Sequence, residues 1–369
     1  MARAVARIDL GAVERNCARL KAELGEGAEL CAVVKADGYG HGADACANAA
    51  LAGGATRLAV ATGVEAAEIG RRLPQIPLLT MGALTVGDLD AALSAGSEVA
   101  AWRREFLDLA SARGRAQGRP VRVHVKYDSG MGRLGNPDPE QVLALARACA
   151  EDSQLELAGI WTHFATADEP DSDFFDQQLD RFRAVADAAR AEFPGVIAHA
   201  ANSAAVFRDS GSHFDMARCG VAVYGLDPFQ GDPGERGLSP ALSLHSYVAD
   251  VKRFSAGDSA GYGQTWRAPV DTWVGVLPLG YGDGVRRGLS NNAELLIRGR
   301  RHPLVGTVSM DNLTVNLGPE TDVVPGDEAV LIGTQEEQSI LAEEVARRLA
   351  TINYEITCGV SARVPREHS

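Results

Sequence analysis

Residues 29–43, ELCAVVKADGYGHGA, run from a short apolar stretch through a lysine into a glycine-rich turn. An apolar run of this length bounded by glycines is a strand signal. In a doubly wound dinucleotide fold, the turn after the first strand carries Gly-x-Gly-x-x-Gly. Gly38, Gly40 and Gly42 do not have that spacing, so the turn favours a closed barrel over an open sheet. Seven further strand-like runs follow: RLAVATG (57–63), IPLLTMG (76–82), SEVAAW (97–102), VRVHVKYD (121–128), LAGIWTHF (157–164), VIAHAAN (196–202) and MARCGVAVYG (216–225). Between them lie helical patterns, notably 63–73, 85–94 and 173–192. Upstream, Leu10, Val13, Cys17, Leu20 and Leu24 recur at the spacing of one helix face. Eight strands in βα alternation predict an α/β chain whose residues 9–235 form a (β/α)8 TIM barrel.

After Pro240 the rhythm changes to closely spaced strand-like runs: 242–254, 272–280, 293–300, 304–310, 313–318 and 328–333. One late helix is expected around 340–349. Residues 236–369 are therefore expected to form a second, mostly β domain, with residues 1–8 packing beside it. No internal repeat or low-complexity tract interrupts either part.

Acidic residues outnumber basic ones, 49 against 36. The resulting negative surface speaks against binding nucleic acid or an anionic membrane. The first residues, MARAVARIDLG, lack the apolar run of a secretory signal, and no stretch reads as a membrane span, so the cytoplasm is the expected compartment. The six cysteines, Cys17, Cys31, Cys46, Cys149, Cys219 and Cys358, form no Cys-x-x-Cys pair. Neither a metal site nor a disulfide framework is expected.

Lys35, Lys126, His163, Asn202, Ser203 and Arg218 all fall at or just past the predicted C-terminal ends of strands, where barrel enzymes build their sites. Any one of them alone reads equally well as a loop or buried polar residue. A lysine shielded in a barrel mouth has its ammonium form disfavoured, which suits it to Schiff-base or general-base chemistry near neutral pH.

The segment AVVKADGYGHGA (32–43) also resembles the pyridoxal phosphate attachment motif of bacterial alanine racemases. The likeness continues in family order through HVKYDSGMGRLG (124–135), THFATADE (162–169), HAANSAA (199–205), Arg218-Cys219-Gly220-Val221, GYG (261–263), PLGYGDG (278–284), SMDN (309–312), Tyr354-Glu355 and RVPR (363–366). It spans nearly the whole chain and implies a fold type III, pyridoxal 5'-phosphate-dependent enzyme that interconverts L- and D-alanine by a two-base mechanism, supplying D-alanine for cell-wall peptidoglycan.

By that resemblance Lys35 bears the cofactor and serves as one base, while Tyr262 is the second, reaching the site from the other subunit of a homodimer with shared active sites. Tyr39, Ser203, Tyr354 and the backbone amides of Gly220 and Val221 would hold the phosphate, and Asn202 would lie beside the cofactor. Arg218 would face the pyridine nitrogen. Arg133 and the backbone of Met310 would meet the substrate carboxylate, with Lys126 beside Arg133 as a lysine often carbamylated in the family. His163 would bond Tyr262 and approach Arg218, and Asp311 and Tyr281 would stand at the pocket entrance.

Two positions depart from the family's usual pattern, Ser309 and Cys219, which leaves the pocket wall and hence substrate breadth open. A racemase acting on serine or basic amino acids is the nearest alternative. A non-catalytic pyridoxal phosphate-binding regulatory protein would lack the second domain, and a barrel-plus-β decarboxylase would lack Arg218 and GYG.

Overall fold

The computed structural model describes residues 3–369. Its contacts divide the chain into two compact units. One comprises Val13–Gly38 and Ala43–Val223; the other joins the described N-terminal residues through Ala12 with Tyr39–Gly42 and Tyr224–Ser369.

A first strand, β1 (Val5–Ile8), belongs to the second unit. The first unit then holds eight strands: β2 (Glu29–Val33), β3 (Arg57–Val60), β4 (Leu78–Thr80), β5 (Glu98–Ala101), β6 (Val121–Lys126), β7 (Leu155–Trp161), β8 (Ile197–His199) and β9 (Met216–Cys219). Each pairs in parallel with its neighbour in the chain. β9 closes onto β2 with Arg218 opposite Cys31, completing the barrel. Strands covered on both faces need not alternate, and β4, β5 and β9 are buried at every residue.

The helices between them form where the periodic patterns lie. Helix Leu10–Glu23 buries Val13, Cys17 and Leu20. Helix Gly63–Arg72 begins at a capping box: the Thr62 hydroxyl accepts from Glu65 N at 3.2 Å, and Glu65 Oε2 accepts from Thr62 N at 3.1 Å. Thr85 and Asp88 repeat the device ahead of helix Val86–Ser94. Such caps satisfy backbone donors that a helix start leaves unpaired.

The second unit is built on a ten-stranded sheet. Its path runs Asp250–Phe254, Thr272–Leu277, Leu313–Gly318, Arg300–Val305, Glu294–Ile297, Glu328–Gln335, Leu242–Tyr247, β1 and Arg366–His368, with Gln338–Ile340 paired to Glu328–Gln335. β1 pairs antiparallel with Leu242–Tyr247; the expectation for residues 1 and 2 lies outside the described residues.

Three local expectations are corrected. Residues 242–254 form two strands, because Val248 N turns to Asp327 O and Ala249 N to Val276 O, moving the chain to a different neighbour. The run 216–225 stays extended only to Cys219 and then coils into a 3-10 turn at Val221–Tyr224. There are two late helices, Ala342–Arg348 and Asn353–Cys358; the second is too short to reveal itself by periodicity.

Candidate active site

Lys35 sits two residues beyond β2, half-buried, at the head of an unusual turn. Ala36, Asp37, Gly38 and Tyr39 all have positive φ, at 52°, 51°, 62° and 54°. For residues other than glycine this left-handed helical region costs roughly 1–2 kcal/mol each, so the turn must be held. Gly38 N donates to Val34 O at 3.0 Å, Ala43 N to Asp37 Oδ1 at 2.9 Å and Ala36 N to Glu65 Oε1 at 2.7 Å. The capping glutamate of helix Gly63–Arg72 thus also pins the lysine turn, and its other oxygen takes Ala61 N at 2.8 Å. Over-determined strain of this kind marks functional sites.

Around the C-terminal ends of the strands the barrel gathers cations. Lys126 ends β6, buried, with its ammonium 4.2 Å above the Trp161 ring. Burial, together with the charges of Arg218, Arg133 and Lys35, brings its pKa down to about 7. Arg218, within β9, is buried with its guanidinium 4.8 Å from the same ring centre. It donates to His199 Nδ1 at 2.9 Å, Thr162 O at 2.8 Å, Ala200 O at 3.1 Å and His163 Nδ1 at 3.2 Å. These four acceptors are neutral. Burial lowers the guanidinium to about 10, which leaves it charged at neutral pH.

Burial, reinforced by Arg218 and Lys126, also holds the His163 and His199 imidazoles well below their ordinary value. Arginine only donates, so His163 accepts at Nδ1 and carries its proton on Nε2. Arg133 lies exposed in the loop after β6, within electrostatic reach of Lys126 and His163.

Ser203 opens helix Ser203–Arg208, with Asn202 capping it by accepting from Ala205 N at 3.0 Å. The buried Ser203 hydroxyl accepts from Gly220 N at 3.1 Å and Ala222 N at 3.4 Å, so the two segments read as apart in sequence share one polar corner. Val221 follows at the head of its 3-10 turn.

The other sequence-derived residues belong to the second unit. Tyr39 and Tyr354 meet edge to face at 6.3 Å, and Tyr39 also packs on Tyr224 at 5.2 Å. Tyr262 stands between Gly261 and Gly263, both at positive φ, and is 73% exposed. Thr307 Oγ1 fixes the loop by donating to Tyr262 O at 2.8 Å. Met310 and Tyr281 are exposed too. Asp311 pairs with Arg363 at 2.7 Å and more loosely with Arg3; the Arg363 hydrogen bond lowers its carboxyl below the usual range.

The chain matches the model described as alanine racemase, N-terminal domain, over residues 8–228, and that described as alanine racemase, C-terminal domain, over 241–368. It is 43% identical to the alanine racemase of Symbiobacterium thermophilum, covering 98% of this chain and 96% of that one. The chain belongs to the alanine racemase family. The alanine racemase of Desulforamulus reducens is 39% identical across 98% of this chain and 97% of its own. Among solved structures, alanine racemase from the D-cycloserine-producing Streptomyces lavendulae superposes with a TM-score of 0.94 at 37% identity, covering 100% and 97% of the two chains. Alanine racemase from E. faecalis gives 0.91 at 35% identity, covering 100% and 98% of the two chains. This family membership over both domains makes the chain an isomerase of alanine.

Sequence reasoning missed Trp161, His199 and Glu65. The first two were signalled by strand parity: Trp161 lies two residues before His163, and His199 ends β8 on a run otherwise made of alanine and isoleucine. Glu65 was visible as the fourth residue of a Thr-x-x-Glu box, but its bond to Ala36 was not.

Proposed function

We propose that the racemisation of alanine here uses pyridoxal 5'-phosphate bound through Lys35, with Lys35 and Tyr262 as the two bases. The observation that carries the reading is the pair of buried cations at the strand ends, Lys126 and Arg218, 4.2 and 4.8 Å from the Trp161 ring centre, with Arg218 also bonded to His163 at 3.2 Å. A phosphate- and carboxylate-bearing ligand suits that positive barrel mouth. The buried Trp161 Nε1, which has no hydrogen-bond partner among the described residues, fits a pocket finished by a ligand. Ser203, the Gly220 and Val221 amides, Tyr39 and Tyr354 would hold the phosphate, with Asn202 beside the ring. Arg133 and the Met310 backbone would hold the substrate carboxylate, next to Lys126 as a candidate carbamate. Tyr281 and Asp311 would line the entrance.

The cofactor supplies the electron sink that makes the α-proton of alanine removable. The protein must then hold one proton-transfer group on each face of the α-carbon. The Lys35 amine takes or returns the proton on one face and the Tyr262 hydroxyl on the other, Lys35 serving D-alanine and Tyr262 serving L-alanine. Tyrosine ordinarily titrates near 10, so the phenolate needs a donor. His163 offers Nε2–H, because Arg218 occupies Nδ1. Arg218 keeps its own proton, so toward the ring nitrogen it would serve as a hydrogen-bond donor and not as an acid, which would disfavour side reactions such as transamination.

The high exposure of Tyr262 supports its action in the site of a second subunit, and hence a homodimer. The product would feed peptidoglycan synthesis from the cytoplasm; no described helix is long and apolar enough to cross a membrane.

The test follows L-alanine in deuterium oxide by circular dichroism and by loss of the α-proton signal. Dichroism that decays to zero with α-deuteration supports the two-base reading; deuteration without inversion counts against it. Mixing Lys35→Ala with Tyr262→Phe protein tests the shared site. A mixed dimer regains activity only if lysine and tyrosine come from different subunits.

A further inference from the structure

Behind Arg218 the barrel interior holds two fully buried histidines and a buried glutamate that the proposed mechanism does not use. Arg218 Nη1 lies 2.9 Å from His199 Nδ1, His199 Nε2 lies 2.9 Å from His124 Nδ1, and His124 Nε2 lies 2.6 Å from Glu98 Oε2. Donor–acceptor rules fix every proton in this series. Arginine can only donate, so His199 Nδ1 must accept. A neutral imidazole that accepts at Nδ1 carries its proton on Nε2, so His199 donates to His124 Nδ1. His124 must then carry its own proton on Nε2 and donate to Glu98. The chain of bonds has one direction, from guanidinium to carboxylate, and both imidazoles in it are neutral.

Local structure is shaped around this series. The β6–β7 ladder slips between Val123 and His124, so that His124 faces Gly159 and Ala158 is skipped. Bulges of this kind re-aim a side chain. A Cβ on Gly159 would lie 2.3 Å from His124 Nδ1, so only glycine leaves room for the ring. Glu98, the far terminus, is fixed by Arg57 at 3.1 Å and Arg122 at 2.7 Å. The His199 ring lies parallel to Trp161, 5.6 Å centre to centre, beside the Arg218 guanidinium.

We propose that Glu98, His124 and His199 are positioning residues: a one-way hydrogen-bond relay that orients Arg218 as a fixed, charged donor while keeping carboxylates away from it. The inference rests on the proposed role of Arg218 for its catalytic consequence, but the relay itself is a property of the barrel. A carboxylate placed directly against Arg218 would neutralise the charge that faces the ligand. Two neutral imidazoles transmit the geometric hold of Glu98 without its charge.

The test has a readout independent of turnover. Long-range 1H–15N spectra of imidazole-labelled protein should show His124 and His199 each protonated on Nε2 alone, with a slowly exchanging Arg218 guanidinium signal. Protonation of His124 on both nitrogens, or on Nδ1, would overturn the relay. In His124→Leu, His199 loses its acceptor; its tautomer should change, the Arg218 signal should broaden, and kcat should fall about tenfold to a hundredfold with little change in KM. His124→Gln, whose amide can accept from His199 and donate to Glu98, should restore both the signal and kcat. If His124→Leu folds with its Arg218 signal and kcat intact, the proposal fails while the racemase reading stands. If the wild-type protein does not racemise alanine but the Nε2 tautomers and the His124→Leu broadening are found, the function fails and the relay stands.

Discussion

Five candidate residues, two in the barrel and three in the β unit, stand in opposite physical states. In the barrel, Lys126 and Arg218 are each 3% exposed, desolvated and shifted in pKa. In the β unit, Tyr262, Met310 and Tyr281 are 73%, 51% and 43% exposed. A closed barrel can hold charges that water would otherwise screen, because every strand is backed by helices and the cost of burial is spread over many packed side chains. A sheet edge or loop cannot do this by itself. Its functional groups remain in water until something covers them. The desolvated candidates therefore lie in the first unit, while these three of the second unit stand in water in the single chain.

The contrast is broken most directly at Lys35. Lys35→Ala should lower racemisation by about 10⁴-fold or more, since by the proposed function it removes both the cofactor anchor and a base. A chiral assay of D-alanine formed from L-alanine checks this, and near-wild-type activity would move the chemistry out of the barrel. Tyr262→Phe, on the exposed side of the comparison, should cost about 10²–10⁴-fold with little change in thermal stability. A large drop in melting temperature would mean that the tyrosine packs within its own chain.

Lys126 sharpens the comparison through pH. Its folded pKa is about 7 against an ordinary 10.5, so between these values the unfolded chain binds more protons than the folded one. Stability contributed by this group is therefore lowest below pH 7 and rises as pH increases through the window. Melting temperatures from pH 6 to 9 should rise more steeply in the wild type than in Lys126→Met, and parallel curves would show that the lysine does not titrate in this window as a desolvated free amine. The smallest effect belongs to Thr62→Ala, which removes a helix cap and should cost about 1 kcal/mol in chemical denaturation. Activity should change little, because Glu65 still holds Ala36.

The barrel was legible because its strands are short, apolar and spaced by helical patterns, so that periodicity and the glycine spacing at 38–42 sufficed. The late helix Asn353–Cys358 and the break at Val248 were not, since six residues define no period and a strand's choice of partner is a long-range event. At the candidate site, Lys35 and Arg218 stood out by position, and the resemblance supplied their expected roles.

The sequence by itself determined the fold class, the family and the residue types at the strand ends, all of which depend on local pattern and residue order. Only the tertiary structure decided that Ala36, Asp37 and Tyr39 adopt left-handed backbone, that Glu65 pins them, and that Arg218 faces neutral acceptors backed by His199, His124 and Glu98. Those facts depend on groups far apart in the chain meeting inside a low-dielectric core. There, each donor must find an acceptor, and the few arrangements that satisfy all of them cannot be read one segment at a time.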